Sequence, residues 1–156
     1  MKQRRPRHHR GFSLAELAAV IIILSLLAAI AAPRVSNTLR HQRLDTASRR
    51  LMIDLELTRS QAVIDGTNRS LTLSLTGQYY TLPSQVQVSS TNQVNLDTSP
   101  YDDVQLLSTT YNPTTVTFSR LGLPQAGGSI TLQAGAEQAI ISLSATSGRA
   151  TRTFGP

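Results

Sequence analysis

Glu16 is the side chain whose surroundings most demand a chemical reason. It stands inside an apolar run from Phe12 to Ala32, 21 residues that are otherwise polar only at Ser13 and Ser25. A carboxylate in hydrocarbon costs about 2.5–3.5 kcal/mol on insertion scales, so it must pair with a cation or reach back to the interface. Other chemistry has less to work with. Cysteine is absent, which excludes disulfides, thiolates and Cys-ligated metals. His8 and His9 lie in a basic head and read as solvated polar residues rather than ligands, leaving His41 as the only other histidine. With no cysteine and one such histidine, a His/Cys zinc site cannot be built within one subunit. Asp97, Asp102 and Asp103 flank "TSPY" and can hold Ca²⁺ with backbone oxygens, but the EF-hand spacing is missing and a solvated loop is the default. No glycine-rich loop follows a strand and opens a helix, so nucleotide binding has no support. Arg149 and Arg152 in "GRATR", with Arg120 and Arg69, are candidates for a phosphate-reading patch; the alternative is that they are the solvated ends of the last strand.

Those residues need elements to carry them. Phe12–Ala32, as a helix rising about 1.5 Å per residue, is long enough for a hydrocarbon core of roughly 30 Å. Five of the fifteen basic residues lie in the first ten positions, and from Phe12 onward ten arginines face nine acids. The positive charge therefore describes the head of the chain, and the body is nearly neutral. Positive-inside places residues 1–11 in the cytoplasm and the remainder outside, a bias that Arg34, Arg40 and Arg43 weaken without reversing. From Gly66 the last 91 residues hold 27 Ser or Thr and no Lys, the signature of a hydroxyl-rich β surface outside the cytoplasm. An ordinary signal peptide ending at Ala29-Ile30-Ala31, or a plain anchor, fits the apolar run but leaves Glu16 unexplained.

Beyond Ala32 a helical spacing continues: Val35, Leu39, Leu44, Ala47, Leu51, Leu55 and Ala62, with Arg40, Arg43, Arg50 and Arg59 largely off that stripe. One helix over about 13–65 is predicted, kinked or locally unwound near Pro33 and stopped by Gly66. The period then switches to two. "SLTLSLT" and "YYTL" predict a hairpin, "VQV" and "VQLL" short strands, and "TTVTF", "SITLQA" and "AIISLSA" three more. Residues 89–103 are the best candidate for a mobile loop. The predicted class is α+β: a long N-terminal helix packed on an antiparallel β head. Its divisions are 1–11, 12–32, 33–65 and 66–156.

"GFSLAEL", behind a basic head and ahead of an apolar run, resembles the processing site of type IV prepilins. That resemblance implies cleavage by a prepilin peptidase between Gly11 and Phe12, N-methylation of Phe12, and a register role for Glu16. The carboxylate would pair with the ammonium that cleavage creates on a neighbouring subunit, so neither ion is left bare in low dielectric. It also implies discarding His8 and His9 with the leader, and the proline and divided helix agree with it. "TVTFSRLGLPQAGGSITL" followed by "AIISLSATSGRATR" is similar to the protein H group of minor pseudopilins and to FimT-type minor pilins. The positions that carry this are Phe118, Gly122, Gly128, Ile130, Gly148 and Arg149, with a final strand ending in "GR". Residues 83–112 match nothing in it.

The function implied is a non-enzymatic minor pseudopilin of a type II secretion system, with no cofactor or metal. Its head would be periplasmic, with a single pass through the inner membrane. The implied partners are the peptidase, other pseudopilins through the N-terminal helix, and an inner-membrane secretion platform. The rival is a FimT-like minor pilin that takes up DNA through Arg149 and Arg152. Pilins of that kind carry G-R-x-R, whereas here Thr151 holds the second arginine's place and Arg152 follows one residue later. On a strand that slip turns the side chain to the opposite face. A freely secreted β protein is the third reading.

Overall fold

The structure, a computed structural model, describes residues 13–83 and 92–155, with the backbone alone at 30–35. The one helix among the described residues, α1, is Leu14–Asp65, 52 residues long. Ser13 opens it, its Oγ accepting the Glu16 N–H at 3.3 Å. Gly66, at φ +63°, closes it in the left-handed conformation that glycine adopts without steric cost. The backbone stays helical through Pro33, without the local unwinding the sequence allowed.

The chain divides into two compact units at Asn37/Thr38. In the first, every side chain described from Ser13 to Ala29 is exposed, and most are apolar. Ser25 does not break this surface, because its hydroxyl donates to the Ile21 carbonyl one turn back at 2.7 Å. Among the described residues no helix carries an apolar window long enough to cross a membrane. The expected span ends in residues whose side chains lie outside the described set.

The second unit holds the rest of α1 and eight strands: β1 Arg69–Ser74, β2 Tyr79–Thr81, β3 Gln93–Asn95, β4 Gln105–Thr109, β5 Thr115–Phe118, β6 Gly128–Ala134, β7 Glu137–Leu143 and β8 Ala150–Gly155. They form two four-stranded antiparallel sheets, ordered β3-β2-β1-β5 and β4-β6-β7-β8. The expected helical stripe is the core face: Leu44, Ala47, Leu51, Leu55 and Ala62 are at most 1% exposed. They share one core with Leu71, Tyr80, Val116 and Phe118 of the first sheet and Ile130, Leu132, Ala139 and Ile141 of the second. Leu39 departs from the stripe at 46% exposed.

The head is antiparallel β as expected, and two strand expectations need amendment. "VQV" lies outside the described residues. β3 forms inside the expected mobile loop, where Leu96 is buried and its N–H bonds the Gln78 carbonyl at 2.8 Å. Finally, the last strand does not end in "GR". Gly148 and Arg149 form the turn after β7, and β8 follows them, pairing Ile141 with Arg152 and Leu143 with Ala150.

Candidate functional site

Gly11 and Phe12 lie outside the described residues, so the site begins at Ser13 and Glu16. Ser13 and Glu16 make an S-x-x-E start: Ser13 accepts the Glu16 N–H, and an acid in the first turn faces the positive end of the helix. Sequence reasoning missed this capping role, although the spacing displays it. The Glu16 carboxylate is exposed, and its apolar neighbours are exposed with it; Leu14 is 87% and Ile22 69% accessible. That combination is an unfinished surface, with apolar area and a charge exposed together.

Asp54 is the opposite case. It is 1% exposed on the core side of α1, and its Oδ2 accepts from Tyr80 Oη at 2.6 Å and from Arg50 Nε at 2.9 Å. Burial, and then the Asp54 charge and hydrogen bond, push the Tyr80 hydroxyl far above its ordinary pKa, so tyrosine serves here as a neutral donor. The partner Asp54 likewise raises Arg50. This buried pair was invisible in the apolar stripe, where Asp54 reads as a surface charge four residues from an arginine.

The expected phosphate-reading arginines do not act together. Arg149 is exposed in the turn before β8. Arg152, mid-strand, turns onto α1, where its Nη1 lies 2.7 Å from Asp45 Oδ1 and 2.8 Å from Ser48 Oγ. Its guanidinium also sits 4.6 Å from the Phe154 ring centre. Burial raises the Asp45 carboxyl pKa, but hydrogen bonds from Arg49 and Arg152 outweigh it and hold the group below its ordinary value. Arg69 is bonded to Asp65 at 2.6 Å, and Arg120 is exposed.

The carboxylates proposed for Ca²⁺ meet a guanidinium instead: Arg43 lies 2.9 Å from Asp103 and 4.0 Å from Asp102, with Asp97 exposed. Among the described residues no three carboxylate or histidine side chains are grouped for a metal. His41 bonds Glu137 at 2.6 Å.

The glycines singled out near the C-terminus do converge. Gly122 and Gly148 both have φ near +70° (+74° and +66°), and a Cβ on Gly148 would strike the Gly122 carbonyl oxygen. That same oxygen accepts from Arg59 Nε at 3.0 Å. One arginine of α1 thus ties down the loop after β5 where the turn after β7 crosses it. Gly128 gives β6 passage beside Tyr111, whose ring a Cβ would approach to 2.8 Å.

Comparisons with known proteins place this architecture. Residues 6–32 match the prokaryotic N-terminal methylation motif, which spans the Gly11–Glu16 region. No curated protein matches the chain. Among solved structures, the type IV minor pilin FimU of Pseudomonas aeruginosa is similar in fold, with a TM-score of 0.54 at 16% identity over 74% of this chain and 90% of that one. Residues 47–148 match the family described as type II transport protein GspH. This chain is a type IV prepilin-like minor pseudopilin and belongs to the GspH family.

Proposed function

We propose that this protein is a structural subunit of a type II secretion pseudopilus. Residues 1–11 remain cytoplasmic, residues 12–32 anchor the chain in the inner membrane, and the head lies in the periplasm. A prepilin peptidase cuts between Gly11 and Phe12 and the new terminus is methylated. The apolar half of α1 then leaves lipid for a filament of sister subunits, where Glu16 meets a neighbour's Phe12 ammonium. The observation that carries this reading is the unfinished helix surface, apolar on every described side and bearing one exposed carboxylate. A helix apolar all round is normally covered by lipid or by other helices. The FimT-like reading draws less support, since it needs clustered positive charge free to meet phosphate, and Arg152 is already paired with Asp45.

Mass spectrometry of the mature N-terminus tests the proposal. N-methylated Phe12 is the expected product; a chain beginning at Ala32 would mean an ordinary signal peptide and end the pseudopilus reading. Pull-down of the mature chain on duplex DNA, lost on Arg149→Ala with Arg152→Ala, would favour the uptake reading over secretion.

A further inference from the structure

We infer that the open edge of β8 receives an extended, acidic segment of a partner protein as an added strand. Among the described residues β8 ends its sheet, with β7 as its one strand neighbour. The Ser144 N–H donates to the Arg149 carbonyl at 3.1 Å, and the same register runs without a slip to Gln138↔Gly155. In an antiparallel ladder the bonded pairs alternate, so Thr151, Thr153 and Gly155 bond β7. Ala150, Arg152 and Phe154 therefore turn their backbone N–H and C=O groups outward.

Natural edges are usually blunted by Pro, Lys, a bulge or an inward charge. β4, on the far side of the same sheet, has its bulge between Leu106 and Ser108. β8 has no Pro, Lys or bulge, and its one charge, Arg152, is drawn onto Asp45, which it shares with Arg49.

A groove flanks the strand on each side. One, of about 420 Å³, is lined by Arg49, Met52 and Ile53 of α1 with Arg152. The other, of about 470 Å³, is lined by residues including Ser142, Ser147, Arg149 and Thr151. An added strand sends alternate side chains to opposite faces, and two flanking grooves suit that geometry. Charge selects the occupant. Among the described residues no carboxylate lines either groove, Asp45 is the one acid shared by Arg49 and Arg152, and Arg149 is exposed where β8 begins. At the other end Glu137 adjoins Gln138, the partner of Gly155. The segment that fits carries its acids beside Arg149 and an apolar residue over Met52 and Ile53. The inference rests on the head alone and not on which filament the subunit joins.

The test uses the full chain in detergent micelles. Its probes are eight-residue peptides of alternating valine and threonine with two aspartates, two lysines or no charge at one end. The aspartate peptide should bind best and slow hydrogen exchange at Ala150, Arg152 and Phe154 about tenfold. Arg149→Glu should weaken that peptide about fivefold and favour the lysine one. Phe154→Pro removes one outward N–H while sparing the backbone bonds to β7 and should abolish binding, whereas Phe154→Ala, which loses the same ring contact with Arg152 but keeps the N–H, should still bind; if the proline variant does not fold, Arg149→Glu decides alone. Peptides that do not bind, or that bind without slowing those three amides, overturn the inference. So does a short DNA duplex that binds more tightly than the aspartate peptide and is lost in Arg149→Glu. A chain correctly processed at Phe12 that fails this test loses the strand site and keeps its place as a filament subunit.

Discussion

The two halves of α1 solve the problem of a carboxylate among apolar residues in opposite ways. Asp54 is buried, and both its partners, Arg50 and Tyr80, come from the same chain. Glu16 is exposed among exposed apolar side chains. A buried ion is tolerated when its hydrogen bonds are completed on the spot. The head half of α1 is therefore satisfied within the chain, and on the pairing proposal the N-terminal half is completed by a neighbouring subunit. Position in a helix does not make a carboxylate structural or functional; the origin of its partner does.

Removing Glu16 should give the largest effect. On the pairing proposal, Glu16→Ala leaves a neighbour's ammonium without its counter-ion, and co-assembly with sister subunits should fall at least about tenfold, since an uncompensated charge in an apolar interior costs several kcal/mol. The capping role complicates that variant, so Glu16→Gln separates the two. Glutamine still serves at the third position of a capping box, yet it cannot neutralise an ammonium. Both variants should be cleaved normally, and the head should unfold at an unchanged denaturant concentration. Co-purified filament, quantified for Gln against Ala, is the measurement; full assembly by Glu16→Gln would show that capping is the whole role of the residue.

A pair of leucines sharpens the contrast within stability. Leu51 is fully buried, whereas Leu24 is 59% exposed. Leu51→Ala should cost about 2–5 kcal/mol of head stability, the lost transfer energy plus the cavity. Leu24→Ala should leave head unfolding within about 0.5 kcal/mol. Urea titrations of the full chain in micelles, followed by tyrosine fluorescence, read both. A comparable loss from Leu24→Ala would mean that the first half of α1 is not energetically separate from the head.

The same contrast explains what the sequence disclosed. The helix was legible because Leu44, Ala47, Leu51, Leu55 and Ala62 repeat at helical spacing and Gly66 follows. The strands from β4 to β7 were legible because apolar residues alternate within them or turn residues bound them. β8 was not: "ATRTFG" offers one large apolar residue, and its pairing is set by the Gly148 turn rather than by a pattern. Asp54 was illegible for a different reason. Its tyrosine partner is 26 residues away on β2, and a distance of that kind is fixed by packing alone. Glu16 was legible as an anomaly and as part of a motif, while Ser13 as its cap was overlooked because the apolar run drew the reading toward lipid. The arginines of "GRATR" could be found in the sequence, but Arg152's commitment to Asp45 and Ser48 depends on the strand that went unseen.

Tyr80→Phe should have a smaller effect than the leucine cavity. It removes one of two donors from a buried carboxylate, which costs about 1–3 kcal/mol, and it leaves the ring's packing in place. Arg50 still donates to Asp54, so the loss should stay within that range. A destabilisation as large as that of Leu51→Ala would mean that Arg50 alone cannot hold the charge. No loss at all would mean that the 2.6 Å bond contributes nothing net.

Tyr111 gives the smallest effect and the clearest opposite sign. Its hydroxyl is buried, like that of Tyr80, but has no hydrogen-bond partner among the described residues. Burial alone pushes its pKa up to about 12. At neutral pH, Tyr111→Phe should therefore lose nothing and gain up to about 1 kcal/mol, because it deletes an unsatisfied polar atom. The pH dependence follows from the raised value. Below about pH 10, the ordinary tyrosine pKa, the hydroxyl is neutral in both folded and unfolded chains and the stability is fully present. As the pH rises from about 10 toward 12 the unfolded chain ionises first, and that stability is lost. The Phe variant should lose less over this interval than the parent, the remaining loss belonging to Tyr80, whose value is raised further. Urea midpoints from pH 9 to 12 measure the difference; identical curves would mean that the Tyr111 hydroxyl titrates at its ordinary value and is reached by solvent.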